Sequence, residues 1–453
     1  MIKVLDLFDN FESLYNNSGV STGKDILSLW RDSLVSYPEI TENCIDNVLS
    51  DGILPEKICT DHLLPILENK WDEFYTAHKN IKSICINTIE KINSFFPQNT
   101  DEDIYAVFYV GLCNGAGWVD KFQGKRAVYF GLEQIVDLGW YDFDFLEALI
   151  VHEFGHVYHF SEREKNNIPV NYDYSQADSI VWRIYEEGFA ERFTYLITSK
   201  SSFKAEEIKN MDKNFSKLVN IYYTYFSEEK KIYDFFGDWF SIDGMSRTGY
   251  YLGMKMIERI EKDMDFKDIA LLGFDDIKKY FNIFITENCV GTYDDYTVLS
   301  PYSVFWPAVY SEIAMIITGL SPGNITGVYH IGSTSVPGMT AKPIIDIMVT
   351  YSDEKDIITE DFKTIFDYSG ENGIPGREFF RYKKSGKTIS HIHLVHEDSA
   401  LLKSHILFRD RLTENRKYFD MYMELKIKLE KEYKNNRQLY TDSKSELINK
   451  ILE

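Results

Sequence analysis

Residues 325–349 read Ile-Thr-Gly-Val-Tyr-His-Ile-Gly-Ser-Thr-Ser-Val-Pro-Gly-Met-Thr-Ala-Lys-Pro-Ile-Ile-Asp-Ile-Met-Val. A β-branched strand runs into Gly332-Ser333-Thr334-Ser335, Pro337 and Gly338 reverse the chain, and a second strand from Ile344 to Val349 carries Asp346 among apolar neighbours. Amides and hydroxyls of such a turn can cradle phosphate, and an acid on the adjoining strand can hold Mg2+. A buried aspartate with local hydrogen bonds is the plain alternative.

Working outward, the pattern after this segment reads as strands followed by helices mixing Lys and Arg with Glu, which suits solvated amphipathic helices packed on a sheet. On its N-terminal side, periodicity breaks between Thr286 and Pro301, where Gly291, Asp294-Asp295 and Pro301 cluster. A domain boundary there divides the chain into 1–290 and 296–453. The second part then reads helix, strand, strand, strand and three helices.

The first part begins differently. Its first hundred residues read as helical, with Leu64, Leu67, Trp71, Phe74, Ile81 and Ile84 at helical spacing from Asp61 to Phe96. Ala106–Leu112 and Arg126–Leu132 are β-rich runs separated by Asn114-Gly115-Ala116-Gly117 and Gln123-Gly124, which reads as a sheet with turns. Helices return at Phe143–Phe160, Ala177–Ile197, Glu206–Phe226 and Tyr250–Glu261.

Within the first of these helices, residues 152–156 read His-Glu-Phe-Gly-His. Residues four apart share a helix face, so His152 and His156 can direct imidazole nitrogens at one ion. Glu153, one position round, can reach a metal-bound water without ligating. The bland reading is a helix with two partly exposed histidines. Downstream, Tyr185-Glu186-Glu187-Gly188-Phe189-Ala190-Glu191 supplies Glu187 as a third ligand from a second helix, leaving the fourth position for water. Glu191, one turn on, can accept the spare N–H of a ligating histidine and fix its tautomer.

These motifs resemble the gluzincin metallopeptidases over roughly residues 100–260. The resemblance implies a zincin-like domain with His152, His156 and Glu187 as Zn2+ ligands, Glu153 as general base and Glu191 behind the ligands. Two departures stand out: a polar insertion from Ser161 to Asp178, and only a partial echo, Asn114-Gly115-Ala116-Gly117, of the strand that binds a substrate's amine in aminopeptidases. Exopeptidase activity is not implied over endopeptidase activity. Arg247 and Tyr250 are candidates for stabilising an oxyanion, against a structural role for each, and His159 is either near the site or a packing histidine.

The stretch His330–Gly338, with Ala341-Lys342-Pro343-Ile344-Ile345-Asp346, His391-Ile392-His393-Leu394, Phe408-Arg409-Asp410, Tyr440 and Lys444, resembles the GrpB family across 296–453. That family has the nucleotidyltransferase superfamily fold, so the resemblance implies a mixed sheet with flanking helices and a cleft holding Gly332, Ser333, Asp346, His391 and His393. Lys342 and Arg409 can meet phosphate oxygens there, and a nucleoside triphosphate with Mg2+ is the implied ligand. Nucleotidyltransferases place two acids two residues apart; here Ile347 and Met348 follow Asp346, so the site is expected either to bind a nucleotide without transferring it or to use His393 as a ligand.

The expectation is therefore an α+β chain of two domains: a mostly helical, zincin-like N-terminal domain with a small sheet, and a C-terminal nucleotidyltransferase-like mixed sheet with flanking helices. Its expected activity is zinc-dependent peptide hydrolysis. The alternative is a nucleotidyltransferase or nucleotide-binding protein with a structural or regulatory zinc domain. A third possibility is a scaffold of two degenerate domains. The 453 residues exceed one ordinary domain, and 49 Lys plus Arg against 71 Asp plus Glu give a net charge of −22, which excludes broad capture of a nucleic-acid backbone. Five scattered cysteines, an N-terminus carrying acids, and no apolar run of roughly 18 residues lead to an expected cytoplasmic location with no membrane partner. The sequence leaves the oligomeric state open.

Overall fold

The computed structural model describes residues 2–50, 52–95, 103–170, 175–237, 241–293, 297–433 and 436–453. Phe96, the expected end of the first long helix, and Asp294-Asp295 lie outside the described residues. The chain folds into two compact units built from interleaved segments. One comprises Met1–Asp173, Trp182–Lys204 and Gly253–Gly273; the other comprises Tyr174–Val181, Ala205–Leu252 and Phe274–Glu453. The stretch Thr286–Pro301 falls within the last of these segments.

The first unit carries a four-stranded sheet of β1 (Ile2–Asp6), β2 (Ile104–Tyr109), β3 (Trp118–Phe122) and β4 (Lys125–Gly131), in the order β1-β2-β4-β3. β1, β2 and β4 are parallel, whereas β3 pairs antiparallel with β4 and forms one edge. Gln123 and Gly124 close that hairpin with φ of +51° and +74°, the left-handed pair that a two-residue turn between twisted strands requires. The sequence reading missed β1 and β3. β1 is five residues long and finds its partner about a hundred residues later, a pairing that local periodicity cannot report. The expected helix from Asp61 is also broken. A wide turn at Cys59–Leu63 leads to Leu64–Asn69, and a new helix, Trp71–Phe95, starts after Lys70. Lys70 leaves the helical range at φ −131°, ψ 32° while its amide still reaches the Ile66 carbonyl at 2.8 Å, and the Asn69 side chain takes the Pro65 carbonyl at 2.7 Å.

Two helices build the floor of this unit. The histidine helix, Phe143–Lys165, starts where the Asp142 side chain accepts the Phe145 amide at 3.2 Å. It packs on the glutamate helix, Gln176–Thr198, through small residues: a Cβ on Gly155 would come within 3.0 Å of the Ala190 Cα. The glutamate helix in turn touches Thr248–Ile260 backbone to backbone, since a Cβ on Gly188 would sit 2.2 Å from the Gly253 carbonyl carbon.

The second unit holds a mixed sheet of β5 (Gly327–Ile331), β6 (Ile345–Tyr351), β7 (Asp367–Tyr368), β8 (Glu378–Lys384) and β9 (Lys387–His396), ordered β5-β6-β9-β8-β7. This is two strands more than the sequence reading expected, and a helix, Lys355–Lys363, follows β6. β7 has two residues, too short to show alternation. Four helices, not three, follow β9: Ala400–Glu414, Arg416–Glu432, Arg437–Asp442 and Ser445–Leu452. Likewise Ala205–Lys213 and Phe215–Ser227 replace one expected helix, divided at Asn214, whose side chain takes the Asn210 carbonyl at 2.8 Å. Ile345, Ile347 and Val349 of β6 join Ile392 and Leu394 of β9, Trp306, Ile317 and Phe362 in one core. Each such aliphatic burial is worth about 1.5–3 kcal/mol. Alternation then sends Asp346 and its β9 partner His391 to the opposite face.

Replacing Gly188 with Ala should destabilise the protein by about 1–3 kcal/mol or more, because backbone on the facing helix cannot yield as a side chain can. Gly273, with open space where its Cβ would be, is the control. Urea unfolding should show a lower midpoint for Gly188→Ala and little change for Gly273→Ala.

Candidate metal centre

The histidine and glutamate helices bring three ligand-type atoms together. His152 Nε2 lies 3.1 Å from Glu187 Oε2 and 3.2 Å from His156 Nε2, and His156 Nε2 lies 3.4 Å from the same carboxylate oxygen. All three residues are nearly buried, Glu187 at 3% exposure. A tetrahedral zinc ion with bonds near 2.0–2.1 Å separates its ligand atoms by about 3.3 Å, so the triangle has the size of one face of that tetrahedron. The donor set, two imidazoles and a carboxylate, is also one that zinc accepts. The residues fit the ion that the sequence implied.

The surrounding contacts fix orientation. His152 Nδ1 lies 3.3 Å from Glu191 Oε1, so an N–H at Nδ1 can donate to Glu191 while Nε2 faces Glu187 and His156. Glu191 also receives a hydrogen bond from Ser202. Arg183, which the sequence reading did not pick out, pairs with Glu187 Oε1 at 2.8 Å. It leaves the other carboxylate oxygen facing the imidazoles. Its position four residues before Glu187 on one helix face was the available signal. Burial alone would push the Glu187 carboxyl up, but Arg183, His156 and His152 hold it well below the usual carboxylate range. Burial likewise pushes His152 down, yet its hydrogen bonds to Glu187 and Glu191 outweigh that and hold it well above an ordinary histidine. Among the described residues, none hydrogen-bonds the buried His156 Nδ1.

Glu153 faces the loop that precedes β3. A Cβ on Gly117 would come within 2.9 Å of Glu153 Cγ and 3.0 Å of Oε1, so the absent side chain makes room for the carboxylate. Burial raises the Glu153 carboxyl above its ordinary value. The loop is anchored by Glu133, also unforeseen, whose buried carboxylate accepts the Gly111 and Cys113 amides at 2.8 Å.

His159 is fully buried between Phe160, Trp182, Tyr185 and Phe189, with both ring nitrogens lacking a hydrogen-bond partner. Burial holds it well below an ordinary histidine, hence neutral, and it is a packing residue. Arg247 and Tyr250 belong to the other compact unit. There the Arg247 guanidinium faces Glu207 at 3.5 Å, and the Tyr250 ring meets Phe236 edge-on at 5.3 Å.

In the second unit, His391 Nδ1 meets Asp346 Oδ1 at 3.0 Å. Gly332, at φ +71°, allows the other oxygen of Asp346 to approach: a Cβ there would lie 2.5 Å from Oδ2. Burial pushes the Tyr422 hydroxyl, beside the Gly332-Ser333 turn, up to about 12. Arg377, not anticipated, donates to His393 Nδ1 at 3.2 Å. Burial lowers His393 to about 3, so it is neutral. Arg409 donates to the His330 carbonyl at 3.1 Å and to Asp410 at 2.8 Å, and Lys342 lies over the Tyr440 ring at 4.6 Å. Among the described residues, groups with three metal-type ligand atoms in reach of one another are His152-His156-Glu187 and Asp6-Asp9-His78. In the latter the Lys82 ammonium already pairs with Asp6 at 2.5 Å and Asp9 at 3.4 Å.

The family described as "Putative zinc dependent peptidase (DUF5700)" matches residues 11–269, more than half of the chain. The chain belongs to this family. A second family, described as "GrpB protein", matches residues 297–453, so the C-terminal region is a GrpB domain. UPF0157 protein YqkA of Bacillus subtilis (strain 168) is 31% identical over 150 residues, which are 32% of this chain and 43% of YqkA. The chain therefore spans less than half the length of that relative. UPF0157 protein BH1888 of Halalkalibacterium halodurans is 31% identical over 34% of this chain and 80% of its own length. A solved structure, "Crystal structure of conserved protein GrpB from Enterococcus faecalis", shares 32% identity over 34% of this chain and 94% of that one, with a TM-score of 0.32. Among the described residues, no helix is long and apolar enough to cross a membrane.

Glu187 and Glu191 favour the charged form of His152, so Zn2+ binding at Nε2 is expected to release a proton. Titrating Zn2+ by calorimetry in buffers of different ionisation heat should show proton release, with apparent affinity rising as pH rises. Arg183→Met should weaken Zn2+ binding about 10–100-fold, the usual cost of losing a partner that orients a ligand.

Proposed function

We propose that the N-terminal region is a zinc-dependent peptidase of the gluzincin type, in a zincin-like domain. The observation that carries this reading is the triangle of His152 Nε2, His156 Nε2 and Glu187 Oε2, with the Glu153 carboxylate beside it at Gly117. When bound, zinc supplies a Lewis acid and lowers the pKa of water. Glu153 takes the proton from the attacking water; its raised pKa improves it as a base near neutral pH and lets it return the proton to the leaving amine. His152 is held in one tautomer by Glu191, and Glu187 in one orientation by Arg183. β3 is an edge strand that begins one residue after Gly117, so an extended peptide can add to it through main-chain hydrogen bonds and pass the Glu153 carboxylate. The reading covers exopeptidase and endopeptidase modes alike. Arg247 and Tyr250 remain its sequence-based candidates for stabilising the oxyanion. Five unpaired cysteines fit a reducing, cytoplasmic setting.

A second reading gives the GrpB domain nucleotide binding, with the zinc region structural or regulatory. It is supported by Asp346, held by His391 against the Gly332-Ser333 turn. Among the described residues no group of three metal-type ligands includes Asp346, which favours binding over nucleotidyl transfer.

Glu153→Gln should keep Zn2+ while lowering peptide hydrolysis about 100–10,000-fold, read by a quenched-fluorescence peptide library alongside metal analysis. Full hydrolysis by this variant would remove Glu153 from the mechanism.

A further inference from the structure

We infer that the GrpB domain holds a phosphate group of its ligand at Arg381, on the sheet face that carries Asp346, with His393 as a second donor. This deepens the second reading and rests on it only for that ligand being a nucleotide; the phosphate site itself rests on the arrangement around Phe379.

Strand register assembles the site. Asp346 on β6, His391 on β9 and Arg381 on β8 lie opposite one another in one row, and Met348, His393 and Phe379 form the next row on the same face. Phe379 is 4% exposed and gathers the polar groups of both rows. The guanidinium carbons of Arg377 and Arg381 lie 4.9 and 5.0 Å from the centre of its ring, and the His391 and His393 rings lie 5.3 and 5.2 Å away. Two guanidinium groups and two imidazoles thus surround one buried ring, in a chain of net charge −22.

The two arginines differ in what they still offer. Arg377 is 5% exposed and directs its donors at the Glu371 and Asn372 carbonyls and at His393 Nδ1. A guanidinium only donates, so His393 Nδ1 accepts, and the neutral ring can donate from Nε2. Arg381 is half-buried and donates from Nη1 to Ser369 Oγ at 2.6 Å. Its Nε is buried, and none of the described residues hydrogen-bonds it. The acids in the same row are engaged elsewhere: Asp367, opposite Arg381 on β7, pairs with Lys383 at 3.4 Å, and Asp346 takes His391 at 3.0 Å. Bonding through Nη1 leaves the Nε–Nη2 edge, the two parallel N–H groups with which arginine grips an oxyanion. A buried charged donor of this kind calls for a partner from water or ligand. A carboxylate would use both its oxygens on that edge. A phosphate group has a further oxygen for the His393 N–H, so the two donors together select phosphate.

The test titrates inorganic phosphate, acetate and nucleoside triphosphates into the full chain by calorimetry and thermal shift, at matched ionic strength. Wild type should bind phosphate and a nucleoside triphosphate, and acetate far more weakly. Arg381→Lys keeps the charge but loses the paired N–H groups, and should weaken both phosphate ligands about tenfold or more. His393→Gln should weaken them by a smaller factor. Without ligand, Arg381→Lys should melt as wild type does, because an ammonium can keep the bond to Ser369. Phosphate and nucleotide affinities equal in wild type and Arg381→Lys would overturn the inference and leave the second reading standing. A lower melting temperature of Arg381→Lys with unchanged phosphate affinity would make Arg381 structural and overturn it too. Acetate bound as tightly as phosphate would overturn the choice of ligand, and a wild type that binds neither phosphate nor nucleotide would overturn both readings. Phosphate binding that weakens in Arg381→Lys, with no nucleotide bound by wild type, would sustain the phosphate site and sink the second reading.

Discussion

Glu187 is a carboxylate buried at the meeting of two helices, and a buried carboxylate persists only if positive charge or hydrogen-bond donors meet it. His152, His156 and Arg183 do so from the two helices that cross at Gly155 and Ala190. Much of the N-terminal architecture serves that meeting. Gly155 lets the helices approach, Gly188 and Gly253 let a third helix lie directly behind, and Glu191 turns His152 so that Nε2 faces Glu187. Without an ion, a proton on His152 partly balances the carboxylates.

The sheet contributes from the other side. Glu133 ties the loop after β2 through the Gly111 and Cys113 amides, and that loop delivers Gly117 to Glu153. Burial of Glu153 against that glycine raises its carboxyl, although His156, His152 and Arg183 pull it the other way. The GrpB domain treats its acid differently. Asp346 is paired with His391 on the adjoining strand, with neutral His393 two residues on.

Much of this was legible in the sequence where contacts are local. Residues 152–156 show a shared helix face by spacing alone, and Glu187 with Glu191 shows a second one. Helix periodicity located Phe143–Lys165 and Gln176–Thr198 to within a few residues, while the breaks at Lys70 and Asn214 in other helices coincide with asparagine side chains bonding backward to a carbonyl. β1 and β3 were hidden because five-residue strands identify themselves only through partners elsewhere in the chain. Arg183 was readable from its spacing to Glu187. Glu133 was not, since on a helix it looks like any solvated charge until burial is known.

The central claim is that His152, His156 and Glu187 form a three-ligand zinc site, and metal content tests it most directly. Elemental analysis of the purified full chain after Zn2+ supplementation and dialysis should find about one zinc per chain in the wild type. Glu187→Ala should hold much less. Absence of zinc from the wild type, or an equal content in both proteins, would contradict the account.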